Sequence, residues 1–118
     1  MADLDEDVIN RLAKRMYDIA EAHGFHEKDG VEITVERMAS YVSNLHGEVS
    51  ELWEAARKAK LFASCDKDCA LTCAEEELAD IVIRAMDTAV GLGIDLGRAI
   101  MLKSIYNNNR PFMHGKLA

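Results

Sequence analysis

Apolar residues recur every three or four positions through most of the chain, a spacing that predicts amphipathic helices. The first helix is predicted over about 5–22, and Gly24 follows it as a stop signal. Its apolar stripe comprises Val8, Leu12, Met16 and Ile19. The second helix is predicted from an N-cap at Thr34 to about Lys60. Its stripe comprises Met38, Val42, Leu45, Val49, Leu52 and Ala56.

A charged segment at 63–72 interrupts this helical pattern. The third helix is predicted to begin at 72–74, where glutamates in the first turn favour the helix dipole, and to end at 91–93. Asp95 is a good N-cap for a fourth helix, which the Arg110-Pro111 step ends after about Asn109. Four helices with short connections predict an all-α, four-helix-bundle-like fold.

Composition and charge narrow the class of protein. A length of 118 residues, with 49% apolar residues, predicts one domain over 1–118. The helices are long for a core of this size, so we expect a homo-oligomer. The net charge of −7, without a basic patch, argues against a nucleic-acid polymer as partner. The N-terminus lacks a signal-peptide pattern and no apolar run could span a membrane, so we expect a cytoplasmic protein without a membrane partner.

Two acidic pairs are the strongest chemical signal in the chain. Glu48 and Glu51 lie three positions apart on the second predicted helix, and Glu77 and Asp80 do so on the third. Four oxygen ligands from two helices would suit a hard divalent metal. For the first pair the alternative is a solvated helix flank. Asp80 precedes an apolar run and needs a partner, which is either a metal or Arg84, one turn further on.

The identity of the metal follows from what accompanies the carboxylates. None of the four histidines follows a glutamate by three positions, so the Glu-x-x-His pattern of di-iron bundles is missing. An oxygen-only ligand set favours Mg²⁺, with Mn²⁺ as the alternative.

Cations gather at the other end of the chain. Lys103 and Asn107 share a face of the fourth predicted helix, and Arg110 and Lys116 follow. Such groups bind phosphate oxygens well. Compensation of the helix dipole is the alternative for Lys103 and Arg110, but it does not account for Lys116.

The cysteines Cys65, Cys69 and Cys73 cluster in the predicted break. An odd count without a signal peptide argues against a disulfide framework, and no nearby histidine completes a zinc site. We interpret them as small residues of a connector, with redox or metal chemistry as the alternative.

Three segments together resemble the MazG-like all-α nucleotide pyrophosphohydrolases. The stretch 44–55 (NLHGEVSELWEA) resembles the first metal motif of that family, and 75–84 (EEELADIVIR) resembles the second. The stretch 103–116 (KSIYNNNRPFMHGK) looks like the closing segment, and the similarity covers about 38–116. The family pattern Glu-Glu-x-x-Glu is one carboxylate short here, because Gly47 occupies its first position.

The resemblance implies a MazG-type fold and a homodimer or homotetramer. It also implies Mg²⁺-dependent hydrolysis of (deoxy)nucleoside triphosphates to monophosphate and pyrophosphate, a house-cleaning activity that removes unwanted nucleotides from the cellular pool. It implies a division of roles among the residues. The metal ligands would be Glu48, Glu51, Glu77 and Asp80, with Glu48 or Glu51 as the catalytic base. Phosphates would be contacted by Lys103, Asn107, Arg110 and Lys116. The nucleobase pocket would draw on Phe25, His26, Trp53 and Tyr106.

Two other functional classes fit the same residues. Because Gly47 removes one carboxylate, the chain could bind nucleotide and metal without turnover. A structural helical oligomerisation module is the third hypothesis.

Overall fold

The computed structural model describes residues 4–26, 30–67 and 70–111. Over these ranges the chain is all-helical and contains no strand, apart from an isolated antiparallel bridge between Ser64 and Thr72. The four helices are α1 (Leu4–Ala22), α2 (Val35–Arg57), α3 (Cys73–Gly91) and α4 (Leu96–Asn108). All four predicted helices are confirmed, and α2 ends three residues earlier than the predicted Lys60.

The N-caps predicted for α2 and α4 are confirmed, and α3 begins with a capping box that the sequence analysis did not predict. The Thr34 hydroxyl accepts a hydrogen bond of 3.1 Å from the Arg37 backbone N–H at the start of α2. Thr72 and Glu75 form a reciprocal capping box at the start of α3. Asp95 caps α4 by accepting a bond of 3.0 Å from the Arg98 backbone N–H. These local bonds fix where each helix begins before any tertiary packing is considered.

Helix α3 is the centre of the fold and packs against both α1 and α2. It runs antiparallel to α2, since Tyr41 near the start of α2 contacts Gly91 at the end of α3, and Glu48 contacts Arg84. At Gly91 a Cβ atom would lie only 2.2 Å from the Tyr41 hydroxyl oxygen. The lack of a side chain at Gly91 therefore lets the two helices approach at this end.

Helix α4 packs chiefly against α1. A Cβ atom at Gly97 would lie 2.5 Å from the Glu6 carbonyl oxygen, so glycine is required for this contact as well. The Gly97 backbone N–H donates to the Asn10 side-chain oxygen at 2.8 Å, and the Asn10 amide donates to Asp95 at 2.9 Å. Because α2 lies on α3 and α4 lies on α1, the four helices do not enclose one shared core.

Much of the predicted apolar stripe is consequently left uncovered. Within the described ranges, the buried apolar residues are Ala13, Tyr41, Cys65, Met86 and Ala89. Positions expected to face a core are about half exposed, among them Val8, Ile19, Val42, Val49, Leu78 and Val82. The accessible surface is 8888 Å², against roughly 6,400 Å² for a compact monomer of this mass. The radius of gyration is 16.6 Å, against about 13.5 Å. The single chain is therefore open and leaves apolar helix positions exposed.

Candidate metal centre

Three of the four predicted metal ligands meet where α2 crosses α3. Oxygen atoms of Glu48, Glu51 and Glu77 all lie within 4.8 Å of one another. The i, i+3 spacing puts Glu48 and Glu51 on one side of α2, and the antiparallel packing brings Glu77 of α3 opposite them. The structure thus joins the two sequence motifs through three carboxylates.

Glu77 occupies the most constrained position of this cluster. Its Oε2 atom is buried and has no hydrogen-bond partner among the described residues. Burial, together with a hydrogen bond to Glu51 and the charge of that residue, raises the pKa of Glu77 to about 7. A buried, unpartnered carboxylate oxygen facing two other carboxylates requires either a proton or a cation. This donor set fits a hard divalent ion.

Glu48 is the member of this cluster that also contacts a cation, Arg84. Burial, and then the charge of Glu51, raise the pKa of Glu48, while a hydrogen bond from Arg84 opposes the shift. The Arg84 Nε atom donates to Glu48 Oε1 at 3.4 Å, and the two side chains are only 25% and 16% exposed. The alternative interpretation, that Arg84 pairs with Asp80 one turn away, is wrong: Arg84 instead reaches across to α2. The reason is that the packing of α2 on α3 brings Glu48 within hydrogen-bond distance of Arg84, whereas Asp80 on the same helix forms no ion pair with it.

Asp80 does not belong to the three-carboxylate group. Its charge is still near enough to raise the pKa of Glu48. Asp80 lies on the rim of a cavity of about 320 Å³ between α1 and α3, whose walls include Met16, Ile19 and Phe25. Its role as a fourth ligand therefore stays a prediction.

Two residues that the sequence did not single out lie beside the cluster. Lys67, from the connector before α3, forms an ion pair with the buried Glu76 carboxylate. Glu76 first, then Asp80 and Glu77, raise the pKa of Lys67. Sequence reasoning assigned Glu76 only to the helix dipole, and no spacing rule links it to a connector lysine nine positions earlier.

The predicted phosphate-binding residues lie on another part of the molecule. Lys103 and Arg110 both contact the ring of Tyr106, at 4.4 and 5.5 Å from its centroid. These contacts are local to α4, which packs chiefly against α1 and not against the acidic helix α2. Asn107 lies half-buried on the same helix, and Lys116 falls outside the described residues.

Of the four residues predicted to form a base pocket, the structure brings only Phe25 and His26 together. They line a cleft of about 20 Å³, which holds no more than a water molecule. Phe25 also lines the 320 Å³ cavity beside Asp80, a volume of the size that small ligands occupy. Trp53 on α2 and Tyr106 on α4 are 65% and 58% exposed and belong to neither cavity.

His26 is part of a buried hydrogen-bonded network that sequence reasoning missed. Its Nε2 atom lies 2.8 Å from Asp87 Oδ1, and both side chains are 6% exposed. Its Nδ1 atom lies 3.1 Å from the Tyr41 hydroxyl, and Tyr17 stacks on its ring at 4.4 Å. Since these bonds tie the segment after α1 to α2 and α3, His26 has a structural role here.

The cysteine prediction needs a correction. Cys65 is disulfide-bonded, whereas Cys73 is a free thiol. The connector folds back on itself, with the Cys65 N–H donating to the Leu71 carbonyl at 2.9 Å and the Cys73 N–H to the Ala63 carbonyl at 2.8 Å. This reversal brings distant connector positions together, which linear spacing did not reveal. Cys69 lies outside the described residues.

No family model, no curated protein and no solved structure matches the chain. Among the described residues, no helix combines the length and apolar character needed to cross a membrane.

Proposed function

We propose that this chain is a divalent-metal-dependent nucleoside triphosphate pyrophosphohydrolase of the MazG-like all-α type. The observation that carries the proposal is the convergence of Glu48, Glu51 and Glu77, one of which, Glu77, has a buried oxygen without a hydrogen-bond partner among the described residues. Repulsion among three carboxylates this close makes the arrangement unfavourable without a cation. A protein of net charge −7 repels a triphosphate, so a bound cation that contacts the phosphates would be needed to hold such a substrate.

The exposure of each carboxylate of the cluster suits it to a different role, either metal binding or proton transfer. Glu48 and Glu77 are half-buried and would hold the ion, with Asp80 beside them. The chemistry that Mg²⁺ supplies when bound is neutralisation of phosphate charge and acidification of water. Glu51 is the exposed member of the cluster, so it is the carboxylate placed to take a proton from an attacking water. Attack at the phosphorus nearest the sugar breaks one anhydride bond and yields monophosphate and pyrophosphate.

A panel of normal and damaged (deoxy)nucleoside triphosphates, incubated with the protein and Mg²⁺, tests this proposal through pyrophosphate release. Glu77→Gln should abolish release, because it removes the central ligand. Glu54→Gln is the matched control, since Glu54 lies on α2 in an exposed ion pair with Arg57. Absence of pyrophosphate with every triphosphate, or full activity of Glu77→Gln, would refute the assignment.

Gly47 favours a second candidate function, nucleotide binding without turnover. The first motif is one carboxylate short at this position, as the sequence predicts. In that case Mg²⁺ with nucleotide would raise the melting temperature of the protein by mass action while the nucleotide stays intact. Chromatography of the recovered nucleotide distinguishes the two functions.

We infer further that the working unit is a homo-oligomer, a dimer or tetramer. The support is the excess accessible surface and the half-exposed apolar positions on α1, α2 and α3. Contiguous apolar faces of this kind are normally covered by a partner. Sedimentation velocity should give a mass of two or four times 13.1 kDa. A monomeric mass at micromolar protein concentration would exclude this assembly. A purely structural oligomerisation module would give the oligomeric mass but would not respond to nucleotide.

A further inference from the structure

Arg84 is in direct contact with the acidic cluster through Glu48, and it uses only part of its hydrogen-bonding capacity. Its Nε atom donates to Glu48 at 3.4 Å, and among the described residues its two terminal nitrogens have no hydrogen-bond partner. The guanidinium lies over the Phe25 ring, 5.0 Å from its centroid, in a cation–π contact. A planar guanidinium with two free donors matches the geometry of phosphate oxygens.

Glu48 is shared between this arginine and the carboxylate cluster. One Glu48 oxygen lies within 4.8 Å of one oxygen each of Glu51 and Glu77, and Glu48 Oε1 accepts the Arg84 bond. A divalent ion held by the three glutamates would draw Glu48 away from Arg84. Three quarters of the Arg84 side chain is covered, so a guanidinium that loses its carboxylate requires another anion.

Resting on the proposed function, we propose that Arg84 is the residue that binds phosphate oxygens at this site, and that Glu48 alternates between Arg84 and the metal. Metal binding releases Arg84, so the site acquires its anion-binding group only when the ion is present. Lys103, one of the residues predicted to bind phosphate, lies on α4, which packs chiefly against α1 and not against α2, the helix that carries Glu48.

Pyrophosphate binding in EDTA tests the release without any metal. Glu48→Gln removes the carboxylate that holds Arg84, and should bind pyrophosphate about tenfold more tightly than the wild type. Glu51→Gln is the matched control, because it removes the same charge from the cluster without touching Arg84. Combining Glu48→Gln with Arg84→Met should abolish the gain. Equal gains in Glu48→Gln and Glu51→Gln would overturn the proposal, since the effect would then be net charge alone.

Mn²⁺ titration at pH 8 tests whether Arg84 competes with the metal for Glu48. Binding is measured as the loss of the electron paramagnetic resonance signal of free Mn²⁺. Arg84→Met should bind Mn²⁺ about three- to tenfold more tightly than the wild type, because Glu48 no longer has a competing cation. Arg84→Lys should fall between them, and Arg57→Met should match the wild type. An unchanged affinity in Arg84→Met would exclude the alternation while leaving the metal site intact. Failure of the wild type to bind Mn²⁺ would refute the proposed function as well.

Discussion

Glu51 of α2 and Glu77 of α3 have carboxylate oxygens within 4.8 Å of each other, although they lie on different helices and meet only because the chain folds. The charge of Glu51 and a hydrogen bond between the two groups add to burial in raising the pKa of Glu77 to about 7. The pair is unfavourable when both groups are ionised, and a cation or a proton relieves it.

Glu77→Gln should make the metal-free protein more stable and remove its response to metal. The amide keeps the shape of the side chain but ends the repulsion with Glu51, so we expect the melting temperature in EDTA to rise by roughly 3–5 °C. Adding Mg²⁺ should then raise it no further, in contrast to the wild type. Calorimetry with and without the ion checks both points. A variant that melts lower than the wild type in EDTA would contradict the repulsion.

Asp80→Asn should weaken metal binding less than Glu51→Gln does. Asp80 lies outside the three-carboxylate group, and its charge acts on Glu48 at a distance. We expect a loss of about tenfold in Mn²⁺ affinity for Glu51→Gln and of only a few-fold for Asp80→Asn. Titration of both variants beside the wild type measures the difference. Equal losses would place Asp80 among the direct ligands.

The stability of the metal-free protein should fall as pH rises from about 4.5 to 7. The folded state keeps the Glu77 proton up to a pKa of about 7, whereas the unfolded chain releases it near 4.5. The folded state therefore binds more protons within this window, and raising the pH favours unfolding. Because the cluster must lose that proton to bind a metal, the affinity for Mg²⁺ should increase over the same range.

Melting curves in EDTA between pH 4.5 and 8 check this dependence. The wild type should lose roughly 5 °C relative to Glu77→Gln, which lacks the titrating group. The same series with saturating Mg²⁺ should reverse the loss above pH 7. Parallel curves for the two proteins would show that Glu77 is not the group responsible.

Gly47→Ala should stabilise the protein by about 1 kcal/mol. Gly47 lies inside α2, and nothing is within 4 Å of the position that a Cβ atom would occupy. Gly47→Glu should fit equally well and place a fourth carboxylate one turn from Glu51. We expect it to bind Mn²⁺ about fivefold more tightly than Gly47→Ala. Denaturant unfolding and metal titration separate the two effects, and a destabilised Gly47→Ala would mean that the position is covered in the assembled protein.

Asp87→Asn should cost about 1–3 kcal/mol of folding free energy. Asp87 is buried and accepts the His26 bond that anchors the segment after α1. The control is Asp18→Asn, which breaks the exposed Lys14 pair and should change stability by less than 1 kcal/mol. Urea unfolding of both variants provides the comparison. If Asp87→Asn and Asp18→Asn were equally stable, the structural role assigned to His26 would be contradicted.

The sequence by itself determined the four helices and the residues of the acidic pairs. Helix starts at Thr34, Thr72 and Asp95 depend on bonds within three residues, so local chemistry is sufficient to predict them. The i, i+3 spacing likewise places Glu48 beside Glu51 whatever the rest of the chain does.

Only the tertiary structure decided which partners those carboxylates meet. The register between α2 and α3 selects Glu77 for the cluster, leaves Asp80 at its edge and turns Arg84 toward Glu48. The same packing buries the His26–Asp87 bond between residues 61 positions apart. Register depends on contacts between distant segments, such as Gly91 against Tyr41, and no periodicity within one helix encodes it.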